Sequence, residues 1–192
     1  MIRLLCVGLG GMGRHDWSAA QGSGEFELVA GVDVDAAARS GFEEKTGAPT
    51  FDDADTALDA VSADAALIAA PDRFHAPFSI QAMEKGMDVI CEKPMAETLA
   101  DARRMHHTAE RLGRMLMVHQ QLRWTPSFHH ARKLIDQGAI GTPQSVEFDL
   151  FIFAETCFRG YRSELPQLML QDLGIHHFDL IRYLAGAECE GV

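Results

Sequence analysis

The sequence predicts an α/β fold: a doubly wound parallel sheet followed by an incomplete second α/β domain. Three observations carry this. Apolar runs alternate with amphipathic stretches from the N-terminus to about residue 120. The runs are short, nearly continuous and closed by glycine or proline, as expected of strands buried on both faces. A repeated strand–helix order of this kind gives a parallel sheet with helices on each side.

The elements follow in order. Ile2 to Val7 reads as the first strand and Gly11 to about Ala20 as the first helix. Phe26 to Val34 carries the second strand, and Ala36 to Lys45 a helix. Ala65 to Ala70 is the third major strand, closed by Pro71. Ala76 to Lys85 is a helix that Gly86 ends, and Met87 to Cys91 the next strand. Thr98 caps the following helix, with Asp101 favouring its first turn. Leu99, Ala102, Met105, Ala109 and Leu112 form its apolar stripe, and Gly113 stops it. Met115 to Val118 is another short strand.

The character changes near residues 121 to 125, which divides the chain into domains at 1–122 and 123–192. Thr125-Pro126 opens a helix that Gly138 closes. Gln144 to Phe153 is expected as a long strand, then a loop to about Gln167, then a last helix from Leu170 to Leu184.

Composition narrows the function. Seventeen basic residues against twenty-eight acidic ones give a charge of −11, which argues against nucleic-acid or anionic-membrane binding. No apolar stretch approaches the ~20 residues a membrane-spanning helix needs, and the N-terminus reads as a strand rather than a secretory signal. Cys6, Cys91, Cys157 and Cys189 are scattered with no CxxC spacing. They read as reduced thiols of a cytoplasmic protein, and no metal site is expected.

Gly8-Leu9-Gly10-Gly11-Met12-Gly13 has the spacing GxGxxG. Gly8 permits the tight turn, Gly10 lets the backbone approach a diphosphate, and Gly13 lets helix and strand pack closely. The helix N-terminus adds N–H donors and a dipole suited to an anion. A bare match of this kind also describes plain turns. Here it follows a strand and opens a helix in a βαβ unit, the setting of a Rossmann dinucleotide site. Asp33 lies twenty residues beyond Gly13, where a carboxylate meets the ribose hydroxyls, so NAD is expected over NADP. Asp35 adds to the repulsion of a 2′-phosphate. Arg39 is the counter-observation: either a phosphate partner or a solvated helix residue.

Glu92-Lys93-Pro94 closes a buried strand. Ligands of open α/β sheets bind beyond the carboxyl ends of the strands, so Lys93 can meet a substrate oxygen there. An ion pair with Glu92 or another carboxylate is the competing reading. Asp172 and His176 lie four apart, on one face of a helix, with Asp179 and Tyr183 extending the row. They read as a proton-transfer pair or as a surface salt bridge. His177 falls in the apolar row of Leu173, Leu180 and Leu184 and reads as a core histidine.

Together GLGGMG, Glu92-Lys93-Pro94 and Asp172-Leu173-Gly174-Ile175-His176 give the chain the look of a Gfo/Idh/MocA oxidoreductase, such as glucose–fructose oxidoreductase or inositol dehydrogenase. The resemblance covers nearly the whole chain. It implies Lys93, Asp172 and His176 as catalytic and substrate-binding residues, with His176 as acid/base. It adds Arg123 to the substrate set. It implies a cofactor set of Gly8, Gly10, Gly11, Met12, Gly13, Asp33, Ala70, Pro71, His75, Glu92, Lys93 and Gln121. Two departures stand out: Gln121 replaces the usual asparagine, and Leu170-Gln171 replace small residues before the aspartate. Family members normally run further into a mostly antiparallel sheet, so a fragment, a truncated product or a short member are all open.

The implied activity is hydride transfer between NAD and a sugar, cyclitol or related polyol, in a homo-oligomer. The alternatives are an NAD-dependent glycosidase, a noncatalytic dinucleotide-binding module and an inactive truncated member. As an isolated chain the protein is expected to associate, to bind NAD and to turn over weakly.

Overall fold

The computed structural model describes residues 1–151 and 167–191. These fall into two units, Met1–His119 and Gln120–Val192.

The first unit is wound around β1 (Ile2–Val7). In chain order follow α1 (Gly11–Ser23), β2 (Phe26–Val32), α2 (Ala36–Thr46), β3 (Thr50–Phe51) and α3 (Ala54–Ala60). Then come β4 (Ala65–Ile68), a 3-10 turn at Asp72–Phe74, α4 (His75–Glu84), β5 (Asp88–Glu92), α5 (Leu99–Leu112) and β6 (Leu116–His119). The strands stand in the order β3-β2-β1-β4-β5-β6, and every pairing is parallel. The order reverses between β1 and β4, so the crevice for a ligand opens at the carboxyl ends of those strands.

Strand alternation builds the two cores. Leu5, Val7, Ala66, Ile68, Val89 and Cys91 face α3, α4 and α5, whose Leu58, Met83 and Met105 are buried among them. Leu4, Cys6 and Leu67 face the other way, onto Trp17 of α1 and Phe42 of α2. The Trp17 and Phe42 rings meet edge to face, 5.0 Å apart. Burial on both faces explains why β1 and β4 read as continuous apolar runs.

Helix ends follow their side chains. Asp35, Asp53 and Thr98 each accept a hydrogen bond from a backbone N–H in the first turn of α2, α3 and α5. The β3–α3 segment is not among the elements expected from sequence. β3 has only two residues, too few to show a period. The signal for α3 is its cap, Asp53 accepting from Thr56 N–H and Oγ1–H.

In the second unit a 3-10 turn at Gln121–Trp124 precedes α6 (Pro126–Asp136). A π-helical turn at Met169–Gly174 runs into α7 (Ile175–Ala185). Two expectations change here. The strand expected at 144–153 is absent over its described part, 144–151; the remainder lies outside the described residues. A strand exists only within a ladder that pairs its N–H and C=O groups, and no described neighbour offers one. The last helix starts as a π-turn, which holds one more residue per hydrogen-bonded ring than an α-turn and so alters its side-chain phase.

Candidate active site

The glycine turn has two positions closed to a side chain and an open one between them. Gly8 has φ +93°, and a Cβ there would lie 2.5 Å from the carbonyl carbon and oxygen of Ala69. A Cβ on Gly13 would run into the carbonyl of Gly8. Both positions are closed to a side chain by the protein itself. A Cβ on Gly10 would meet nothing within 4 Å, so bare backbone faces open space there. The first helical bond of α1 runs from Arg14 N–H to the Gly10 carbonyl, which leaves the earlier N–H groups without helical acceptors. Unlike α2, α3 and α5, α1 has neither a side-chain cap nor an acidic residue in its first turn. An uncapped, unoccluded helix start with bare glycine backbone fits the diphosphate of a dinucleotide.

Asp33 stands beside this turn. Its Oδ2 accepts from Leu9 N–H at 2.8 Å and its Oδ1 from Asp35 N–H at 2.9 Å. Each oxygen keeps acceptor capacity for a ribose hydroxyl. Arg39 is not a freely solvated helix residue: its Nη1 donates to the carbonyls of Asp33 and Val34 at 2.7 and 3.1 Å. A guanidinium is therefore anchored next to the Asp33 carboxylate.

At the ends of β4 and β5, His75 is buried and brackets two loops. Its Nδ1 lies 2.7 Å from the Pro94 carbonyl and its Nε2 2.7 Å from the Ala70 carbonyl. The ring ties the Ala70-Pro71 loop to the Glu92-Lys93-Pro94 turn, and both nitrogens are engaged by backbone. Ala70 and Pro71 are half-buried, as is Lys93. Burial pushes the Cys91 thiol up to about 12, and Cys6 likewise, so both stay neutral.

Sequence reasoning missed a cluster beside Lys93. Buried Glu92 and Asp16 face His119, whose Nδ1 lies 2.6 Å from Glu92 Oε1 and 3.8 Å from Asp16 Oδ1. Asp16 and Glu92, the latter through a hydrogen bond, hold the imidazole well above its usual range, at about 10. The signal lay in strand ends: β6 runs one residue beyond the expected Val118, to His119, which pairs in register with Glu92.

In the second unit Arg123 is engaged by buried Asp179, with Nε and Nη2 donating at 2.7 and 2.5 Å. The Tyr183 ring lies 5.4 Å from the same guanidinium. Arg132 donates to the carbonyls of Tyr183 and Leu184 and so closes the C-terminus of α7. Gln121 Oε1 is buried and accepts no hydrogen bond from described residues. Asp172 is buried within the π-turn and His176 half-buried in α7. Asp172 lies in the π-turn and His176 in the first turn of α7, so their four-residue spacing spans the junction of the two. His177 is half-buried and stacks on Phe148, ring centroids 5.6 Å apart, rather than lying sealed in a core.

The family model described as an oxidoreductase family with an NAD-binding Rossmann fold matches residues 2–120. The model of the GFO/IDH/MocA C-terminal domain matches residues 128–192. The chain is 35% identical over 175 residues to D-apiose dehydrogenase of Paraburkholderia graminis, covering 90% of this chain and 46% of that protein. It resembles the solved myo-inositol 2-dehydrogenase of Lactobacillus plantarum with a TM-score of 0.84 at 25% identity, covering 96% of this chain and 56% of that one. The WlbA dehydrogenase of Bordetella pertussis, solved with NADH and UDP-GlcNAcA, matches with a TM-score of 0.66 at 33% identity, covering 71% and 41%. The chain spans about half the length of the curated relatives it matches.

Proposed function

This chain belongs to the GFO/IDH/MocA family of NAD-binding oxidoreductases, and on that premise we propose that it transfers hydride between NAD and a carbinol or carbonyl carbon of a sugar, cyclitol or related polyol. The observation that carries this is one edge of one sheet. The uncapped glycine turn after β1 and the Glu92-Lys93-Pro94 turn after β5 stand at the carboxyl ends of parallel strands in the same unit. The substrate class is supported by relatives named for apiose and inositol.

NAD, when bound, supplies the hydride acceptor or donor. The backbone of Gly8 to Gly13 holds its diphosphate, and Asp33 accepts from its ribose hydroxyls. His75 keeps the Ala70-Pro71 loop in place. Lys93 hydrogen-bonds the reacting oxygen and stabilises the negative charge that develops there. His176 takes the hydroxyl proton in oxidation and returns it in reduction. Asp172 orients these groups or the substrate, with Gln121 and Arg123 lining the approach. The grouping of Lys93, Asp172 and His176 rests on motif order in the sequence.

We place the protein in the cytoplasm as a homo-oligomer. The unbonded thiols of Cys6, Cys91 and Cys189 and the exposed apolar Phe178 and Ile181 of α7 support that placement. Among the described residues no helix is long and apolar enough to cross a membrane. A panel of sugars and cyclitols with NAD, followed by NADH absorbance, tests the activity. NADH binding with no turnover on any member would make this a binding module instead.

A further inference from the structure

We propose that His119 is a positioning residue of this site: as an imidazolium it ties Glu92 to Asp16, and through Glu92 it fixes the backbone from which Lys93 extends. The inference rests on the reading of Lys93 as a catalytic residue.

Three elements meet at this point. Asp16 comes from α1, within one helical turn of Gly13. Glu92 ends β5 and His119 ends β6, in ladder register with each other. One ligand atom from each lies within 4.8 Å of the others. Asp16 and Glu92 are 6% and 4% exposed. Two carboxylates buried this close cannot both stay ionised without a cation between them. Asp16 Oδ2 has no hydrogen-bond partner among the described residues, so the carboxylate is not satisfied by its own helix.

Two other titratable groups face the cluster. Cys6 of β1 is held as a neutral thiol by burial and, after that, by the charge of Asp16. His15 of α1 reaches Asp16 Oδ1 at 3.1 Å from an exposed position and so stays open to water. β6 contributes no titratable side chain besides His119. The His119 ring makes the shortest of these contacts to a buried carboxylate, 2.6 Å to Glu92 Oε1, and its raised pKa agrees with the role of cation.

The link to chemistry is the second oxygen of Glu92. Oε1 takes the His119 ring, and Oε2 accepts from the backbone N–H of Lys93 at 3.3 Å. The carboxylate thus bridges the imidazolium and the main chain of the lysine. Without the ring, Glu92 would take up a proton or turn towards water, and the bridge would open.

The test uses ring-nitrogen NMR of His119 with histidine-specific labelling, and the backbone ¹H–¹⁵N signal of Lys93 in lysine-labelled protein, identified by its absence in Lys93→Ala. Wild type should keep both His119 nitrogens protonated at pH 8.5. Glu92→Gln should lower the His119 midpoint by roughly one unit or more, and His119→Gln should move the Lys93 amide proton upfield as its hydrogen bond to Glu92 opens. NADH titration of the same samples checks the cofactor site independently. A neutral His119 ring at pH 8, or a Lys93 amide signal indifferent to His119→Gln, overturns the proposal even if NADH binds. Loss of NADH binding in wild type overturns the dehydrogenase reading but not the charge cluster. If His119→Gln does not fold, the Glu92→Gln shift alone decides: an unmoved His119 midpoint refutes the bridge.

Discussion

Replacing Gly10 by alanine should abolish tight NADH binding while leaving the fold almost untouched, and replacing Gly8 should do the reverse. Gly10 has φ −90° and ψ 175°, a conformation open to any residue, and an added Cβ meets no protein atom within 4 Å. Alanine is a poorer N-cap than glycine but reduces unfolded-state freedom, so the net stability change should stay within about 1 kcal/mol. The methyl would stand where the diphosphate must approach the α1 N–H groups. Losing one or two charge-assisted hydrogen bonds costs about 1.5–3 kcal/mol, or roughly 10–100-fold in Kd. At Gly8 the φ of +93° alone costs an alanine about 1–2 kcal/mol. The contact with the Ala69 carbonyl adds to this, because backbone cannot swing aside as a side chain can. Gly8→Ala should therefore lower the melting temperature by roughly 5–10 °C. NADH fluorescence titration and thermal melts on both variants read the two effects separately. Gly10→Ala binding NADH like wild type would refute the assignment of bare backbone to the diphosphate. Gly8→Ala melting like wild type would refute the steric argument.

Four further outcomes follow from the same geometry. NADH should bind more tightly than NADPH, and Asp33→Ala should narrow the gap. Because Arg39 is anchored beside Asp33, Arg39→Ala in that background should weaken NADPH again; an unchanged NADPH titration would remove Arg39 from cofactor choice. Lys93→Ala and His176→Ala should each cut turnover by ~10²–10⁴-fold with NADH affinity intact, and full turnover in either would dismiss that residue from the chemistry. Arg123→Ala should destabilise the second unit by about 2 kcal/mol, below the buried-pair range because the Arg123 side chain is 35% exposed while Asp179 is 9% exposed; a wild-type melt would show that the pair contributes nothing. Finally, His119 has its folded pKa raised from 6.5 to about 10 by Asp16 and Glu92. Its stabilisation is complete below pH 6.5, declines above that and is lost as pH rises through 10. The stability difference between wild type and His119→Gln should shrink over that window; a constant difference would deny the proton linkage.

Much of the first unit was legible because a buried parallel strand writes itself as an apolar run with a hard stop. β1, β2, β4 and β5 all end near the glycines, acids or prolines that marked them. Caps were equally plain: Thr98 and Gly113 bound α5 as expected. β3 escaped because two residues have no period, and its pairing with Gly31 and Val32 is a tertiary choice. Over residues 144–151 the expected strand is absent for the opposite reason. Alternation of Val146, Phe148 and Leu150 signals a face to be covered, but a ladder needs a neighbour, and alternation alone cannot supply one.

The same contrast governs the site. The glycine spacing and Asp33 are local, so sequence distance encodes their geometry directly. Asp172 and His176 were placed by an α-helical period, and the π-turn at Met169–Gly174 that holds Asp172 is a widening no residue spacing announces. A Cβ on Gly174 would lie 3.2 Å from the Met169 carbonyl, so the turn leaves little room for a side chain there. His119 was invisible for a different reason. Its partners sit 27 and 103 residues away, at Glu92 and Asp16, and only the β5–β6 register and the close packing of α1 bring the three together. A charged cluster assembled across three elements leaves no spacing in the sequence. What it leaves is an acid at the end of a buried strand, and Glu92 was such a sign. The physical demand that a buried carboxylate find a cation was legible there; which cation answers it is decided by the sheet.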